Sequence, residues 1–344
     1  MALRNYEEAT RKVATAKYLQ SVRQVLRSHL NGKNKIWTIN TFTLLVFRYR
    51  AREISLRESE VVLCGGSESM SQLPYSLRNM RFGATFGVDL ELEDGLWAAL
   101  TDLHIKAPMG ITAENLAEKY EITREDCDNY AYQTQQKWKA AHEGGYYTAE
   151  IAPIEVKTKK GKELMTHDEH PRPETTLEQM AKLPPVFKKE GTVTAANASG
   201  ISDGSAALVI SSEDALEEHK LTPLARIVAY HAIGCDPSIM GIGPVLAVTE
   251  ALKKAGLTLN DMDLVEVNEA FASQYLAVAK ALGLDPEKSN VNSGAIAIGH
   301  PLGASGARIT THLVHELRRR GGKYAIGSAC IGGGQGIAMI IEKC

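Results

Sequence analysis

The 344-residue sequence predicts an α/β fold of sheet covered by helices, and three observations predict it. From Ser59 onward, short apolar runs, glycine turns and amphipathic stretches alternate, the order that builds a sheet with helices on its faces. A composition of 44% hydrophobic and 23% charged residues is that of a globular chain, and this length suggests two or three structural units. The best apolar run, near Phe42 to Phe47, falls far short of the roughly 20 residues a bilayer span needs, and Arg48, Arg50 and Arg52 follow it.

Residues 1–57 lack that punctuation and carry twelve Lys or Arg against three Glu, so a basic segment is expected to end near residue 57. Arg4, Arg11, Lys12, Lys17, Arg23 and Arg27 among Ser, Ala and Leu suit an organelle transit segment, and equally a basic surface helix. Glu60-Val-Val-Leu-Cys64 has the pattern of a buried strand entering a tight turn at Gly65-Gly66. Thr123 and Asp126 stand at capping-box spacing before a helix over 124–142, which Gly144-Gly145 stops. Residues 153–192, with several prolines and many lysines, form an irregular excursion in this reading, and Ala206 to Ser211 return to a buried strand.

Beyond Leu221 the pattern sharpens. Ala225 to Tyr230 is a strand, and Val248, Ala251, Leu252 and Ala255 fall at i, i+3, i+4, i+7 of a helix closed by Gly256. Asp263 to Val267 is a strand and 269–282 a helix. Ile309, Leu313 and Leu317 line another helix, whose Arg318 to Arg320 suit the negative end before Gly321. Tyr324 to Ala329 and Ile337 to Glu342 are the last strands. The alternation implies a mostly parallel sheet with sites in loops at strand ends, and units over 1–57, 58–220 and 221–344.

Several function classes drop out. Cys64, Cys127, Cys235, Cys330 and Cys344 form no Cys-x-x-Cys pair, and an odd count argues for a reducing compartment over a disulfide framework. His167 and His170 find no second cluster to complete a tetrahedral zinc site, so no metal is expected. Gly299, Gly303 and Gly306 do not give G-x-G-x-x-G and no Gly-Lys-Ser/Thr occurs, which excludes nucleotide binding of those kinds. Neither a nucleic-acid partner nor an integral membrane segment is expected.

Three loops carry chemistry. In Gly299-His-Pro-Leu-Gly-Ala-Ser-Gly306 small residues surround one imidazole and let a ligand approach closely; a histidine there can move a proton or donate to an oxyanion. Cys330 ends an apolar strand before Ile331-Gly-Gly-Gly-Gln-Gly336, whose amides can lower a thiol pKa or hold a negative oxygen. Asn268 and Glu269 stand between strand and helix, where the amide can cap the helix or hold a water and the acid suits the first turn. A satisfied turn histidine, an inert buried cysteine and a plain cap compete with these explanations taken singly.

Taken together, Asn268-Glu-Ala-Phe, Gly294-Ala-Ile-Ala-Ile-Gly-His-Pro-Leu-Gly-Ala-Ser-Gly306 and Cys330-Ile-Gly-Gly-Gly-Gln-Gly336, in that order, resemble the thiolase family. The likeness runs from about residue 53 to the C-terminus and looks closest to the mitochondrial 3-ketoacyl-CoA branch. It implies a layered αβαβα fold with an incomplete first repeat and an inserted loop domain. It also implies an acyltransferase that cleaves 3-ketoacyl-CoA with CoA, or condenses in reverse, in fatty acid β-oxidation. By resemblance, His300 activates a nucleophile and donates into an oxyanion hole, and Cys330 is the acid/base at the acetyl methyl carbon. Asn268 holds a water completing that hole, the Gly332 amide belongs to a second one, and Glu269 helps orient the group. Arg172, Thr175 and Ser199 are the implied CoA contacts. Coenzyme A is then a substrate and no cofactor is required; a homodimer or homotetramer and a mitochondrial location are implied, with peroxisome or cytosol as alternatives.

One family motif has no counterpart. The nucleophile of the family sits in Cys-Gly-Ser-Gly, some 20 to 30 residues upstream of a segment like Val61 to Gly66, and Thr38 to Tyr49 contains no cysteine. Cys64, Thr41 and Thr43 are poor substitutes, since displacing the nucleophile by several ångströms destroys near-attack geometry. A catalytically impaired CoA-binding or dimer-partner protein, with an open sheet edge, is therefore the alternative expectation.

Overall fold

The computed structural model describes residues 43–158 and 161–344. The basic stretch Arg4 to Arg27, Thr38 and Thr41 lie outside the described residues. The principal elements are α1 (Thr43–Ser55), β1 (Val61–Ser69), α2 (Met109–Tyr120), α3 (Arg124–Glu143), β2 (Asp203–Ser211) and α4 (Glu213–His219). Then follow β3 (Ala225–Gly234), α5 (Gly243–Ala255), β4 (Leu264–Val267), α6 (Ala272–Leu282), α7 (Ser305–Arg320), β5 (Tyr324–Ile331) and β6 (Gln335–Lys343).

The second half is built on a four-stranded sheet of order β4-β5-β6-β3. Its strands alternate side chains between two cores. Val265, Val267, Ile326, Ala338 and Ile340 face the core that includes Val248 and Leu252 of α5 and Val278 of α6. Leu264, Ala325, Ala329, Ile337 and Met339 face the other, with Ile309, Leu313 and Leu317 of α7 and Leu44 of α1. Val62 and Cys64 of β1 belong to that second core, so α7 and α1 lie between this sheet and the β1–β2 pair. Helices, sheet, helices, sheet, with Ala215 of α4 against Val61, give the layered arrangement.

Two expectations are corrected. The sheet is not mostly parallel: β4 and β5 are parallel, while β6 pairs antiparallel with both β5 and β3. The turn joining β5 to β6 is too short for a crossover helix, which forces a hairpin. Nor does the strand at Val61 turn at Gly65-Gly66. β1 runs straight to Ser69, antiparallel to β2 over nine residue pairs. Glycine serves contact here, since a Cβ on Gly65 would stand 2.4 Å from the Ala206 carbonyl oxygen. Among the described residues this sheet has two strands, half the number in the second unit.

Local rules explain the helix ends. Thr123 and Asp126 form the expected reciprocal capping box on α3, and Gly256 closes α5 in the left-handed region at φ 65°. α6 starts at Ala272, three residues later than expected, because Phe271 is extended and bridges Ala198. The excursion over 153–192 contains a ribbon, Ile154–Thr158 with Gly161–Met165, and a short helix Leu177–Ala181. No helix among the described residues is long and apolar enough to cross a membrane.

Candidate active site

Parallel pairing of β4 and β5 brings two of the three loops to one sheet end. Val267 is level with Ser328, and the Asn268 amide donates to the Ser328 carbonyl at 2.8 Å. Asn268-Glu269 therefore leave the sheet beside Ala329-Cys330. The third loop leads into α7; within it Gly299 takes φ 89° and a Cβ there would stand 2.0 Å from Ser202 Oγ. Only glycine turns the chain into His300 at that point.

The His300 imidazole is 8% exposed, fixed at Nδ1 and approached at Nε2. Nδ1 lies 2.6 Å from Ser305 Oγ, and the Ser305 hydroxyl donates to the Pro301 carbonyl at 2.9 Å. With the Ser305 hydroxyl proton directed to Pro301, the assignment that satisfies both contacts puts the imidazole proton on Nδ1 and the lone pair on Nε2. Asn268 Nδ2 then donates toward Nε2 at 3.4 Å, long for a full hydrogen bond. Burial lowers the His300 pKa to about 4 and the Arg308 charge acts in the same direction, so the ring is a neutral base at neutral pH. Sequence gave no hint of Ser305 as the group that sets this tautomer.

Asn268 Oδ1 is buried and meets no donor among the described residues. A buried acceptor of this kind is normally satisfied, so Oδ1 is suited to take a hydrogen bond from a bound group. The Cys330 thiol lies buried against Met240, Ala270, Met109 and Phe271, and burial pushes it up to about 12. At neutral pH it is a thiol, a proton donor. Exposed backbone amides do not win over desolvation, as they would in an open, low-pKa site. Gly332 sits exposed in the β5–β6 turn, where its Cβ position would be 3.7 Å from Met109 Sδ.

Glu269 is placed elsewhere than expected. Its fully buried carboxylate accepts from Tyr130 at 2.6 Å, Asn290 at 2.8 Å, Thr134 at 3.1 Å and the Ile296 amide at 3.2 Å. Burial raises its pKa, and these four donors oppose that rise. Its partners belong to α3 and to the chain that leads into Gly299-His300, so it secures that loop. A first-turn dipole role is ruled out by α6 starting at Ala272.

The three CoA candidates divide. Ser199 borders the site: its Oγ and amide both donate to the Ala270 carbonyl, at 3.1 and 3.0 Å. Arg172 is exposed, its Nη1 turned onto the carbonyls of Glu169, His170 and Pro171 at 2.7–2.9 Å. Thr175 lines an open hollow of about 350 Å³ with Tyr132, Gln136 and Lys139. His170, which sequence assigned no role beyond its segment, joins the two regions by donating Nδ1–H to the Ala297 carbonyl at 2.7 Å.

Residues 47–214 match the family described as Thiolase, N-terminal domain, and residues 221–343 that described as Thiolase, C-terminal domain. The mitochondrial 3-ketoacyl-CoA thiolase of Rattus norvegicus is 71% identical over 292 residues, 85% of this chain and 74% of the relative. The crystal structure of human mitochondrial 3-ketoacyl-CoA thiolase superposes with a TM-score of 0.86 at 66% identity, covering 88% of this chain and 76% of that one. A second structure of the human protein, in complex with CoA, gives 0.85 at 65% identity over 88% and 75%. With both halves matched in order and the loops of His300 and Cys330 inside the matched regions, this chain belongs to the thiolase family.

Proposed function

We propose that the chain is a thiolase-type acyltransferase that cleaves 3-ketoacyl-CoA with CoA to acetyl-CoA and a shortened acyl-CoA, in fatty acid β-oxidation, or runs the reverse condensation. One observation carries this reading. A neutral imidazole with its lone pair on Nε2 contacts Asn268, which leaves the sheet beside the strand end that carries the protonated, buried Cys330 thiol.

Each fits one half of the chemistry. His300 Nε2 accepts the proton of the attacking CoA thiol as its sulfur bonds the 3-keto carbon, and the resulting N–H points to the developing oxygen. Asn268 Oδ1 holds the water that completes that oxyanion hole, the use its unpaired acceptor suits. When the bond between the α- and β-carbons breaks, the electron pair moves onto the acetyl-CoA enolate and Cys330 gives its proton to the enolate carbon. The Gly332 amide stabilises the thioester oxygen. Glu269 acts on this site as a positioning residue, through the loop it secures. In condensation the Cys330 thiolate takes the proton instead, a strong base at low population.

CoA enters as a substrate, with Ser199 beside Ala270, Thr175 in the hollow and Arg172 reaching a phosphate once its guanidinium leaves the carbonyls. No cofactor or metal takes part. The names of the matched relatives support a mitochondrial location. A homodimer or homotetramer is supported by the apolar surface of residues 73–103, where Phe82, Phe86 and Leu103 are almost fully exposed. The domains of this reading are 58–220 and 221–344, after a basic segment 1–57.

A second reading rests on a separate observation. The sequence has no cysteine before Cys64, and burial pushes that thiol up to about 12 with only 1% exposure. A CoA-binding thiolase-like partner without the covalent step fits this fact. Incubating the purified chain with acetoacetyl-CoA and CoA separates the two: acetyl-CoA formation abolished by His300→Ala supports the acyltransferase. CoA binding by calorimetry without turnover sinks it and leaves the partner reading.

A further inference from the structure

Beside the His300–Asn268 contact lies a charged pair that the chemistry above does not use. Glu266 stands on β4 two residues before Asn268, and Arg308 on α7 three residues after Ser305. Arg308 Nη1 donates to Glu266 Oε1, and the Glu266 side chain is 2% exposed. The bond thus joins the strand that ends in Asn268 to the helix whose first residue fixes His300 Nδ1.

We propose that the Glu266–Arg308 pair is a positioning device, which holds the strand that leads into Asn268 and the helix whose Ser305 fixes His300 in the one register that brings Asn268 Nδ2 to His300 Nε2. The inference rests on the site assignment above and adds two residues to it. Apolar packing of Leu264 against α7 is non-directional and tolerates sliding, whereas a charged N–H to carboxylate bond does not. Stability alone is a poor explanation for the pair. Buried ion pairs recover their desolvation cost only when fully hydrogen-bonded, yet Glu266 Oε2 and Arg308 Nη2 are buried without partners among the described residues. Burial disfavours the Arg308 charge, and Glu266, Glu150 and Glu269 over-compensate, so the guanidinium stays charged.

The test reads the His300 Nε2 nitrogen shift by long-range ¹H–¹⁵N NMR on the full chain labelled with ¹⁵N-histidine, with His300→Gln to assign the signal. Asn268→Ala supplies the reference for an Nε2 that has lost its donor. In the double variant Glu266→Gln/Arg308→Met, checked for cooperative unfolding, Nε2 moves more than halfway to that reference. Arg308→Lys, which keeps the charge and one donor, stays nearer wild type. A folded double variant with wild-type Nε2 overturns the proposal. If the double variant does not fold, Glu266→Gln alone decides: movement toward the reference supports the clamp and an unmoved signal overturns it. Turnover enters none of these comparisons, so a failed clamp is told apart from a failed acyltransferase, which the thiolysis assay reads.

Discussion

At the scale of residues, the decisive feature is protonation. His300 is neutral because its charge would be buried, and Cys330 is a thiol for the same reason. His300→Ala removes the proton acceptor and one oxyanion donor and is expected to lower kcat/KM for thiolysis by about 10²–10⁴-fold. Steady-state rates with acetoacetyl-CoA check this, and a loss under about tenfold contradicts the assigned role.

Stability carries the same signature. The His300 pKa falls from 6.5 to about 4 on folding, so the unfolded chain binds more protons between those values. The contribution is complete above about pH 6.5 and is lost as pH falls toward about 4, amounting to about 3 kcal/mol. His312 works the other way, since Glu150 outweighs burial and raises its pKa, giving stability that is lost as pH rises. Denaturation of wild type and His300→Gln across pH 4–7 isolates the first effect. Wild type should lose stability faster on acidification, and parallel curves contradict the buried neutral imidazole.

At the scale of elements, what was legible in sequence was what depends on near neighbours. The Thr123 and Asp126 capping box, the Gly256 stop and the α7 stripe of Ile309, Leu313 and Leu317 all rest on contacts within a turn or two. Strand direction and the path through Gly65 depend on partners far along the chain, and both expectations failed. Gly65→Ala should therefore cost about 1–3 kcal/mol by overpacking against Ala206. Thr123→Ala should cost about 1 kcal/mol through the lost cap. Thermal melts rank the two, and Gly65→Ala melting like wild type contradicts the close approach of β1 to β2.

The site shows the same division. His300, Asn268 and Cys330 stood out because unusual residues flank them in sequence. Ser305 and Arg308 did not, because serine and arginine on a helix have many ordinary uses; Ser305's role appears once the loop folds His300 back onto the start of α7, and Arg308's once β4 comes alongside. Glu269 was visible as a residue, yet its donors come from α3, Asn290 and Ile296, which no local pattern announces.

At the scale of the molecule, the second unit is closed by cores on both sheet faces, while among the described residues the first presents the β1–β2 pair and an apolar surface. Phe82 and Phe86, 98% and 103% exposed, are the natural centre of a contact between copies. Sedimentation should show a dimer or tetramer that Phe82→Ser/Phe86→Ser shifts toward smaller species. A wild-type monomer at micromolar concentration contradicts that role.

The central claim is that three loops of the second unit, those of Asn268, His300 and Cys330, meet to move a proton at the methyl carbon of a CoA thioester. Deuterium exchange into acetyl-CoA tests it most directly, because the exchange follows Cys330's proton transfer without requiring the carbon–carbon bond to break. In D₂O the full chain should replace the acetyl methyl protons, followed by NMR or mass, and Cys330→Ser should suppress the exchange. Acetyl-CoA that binds by calorimetry yet keeps its protons in the presence of the wild-type chain would contradict the account.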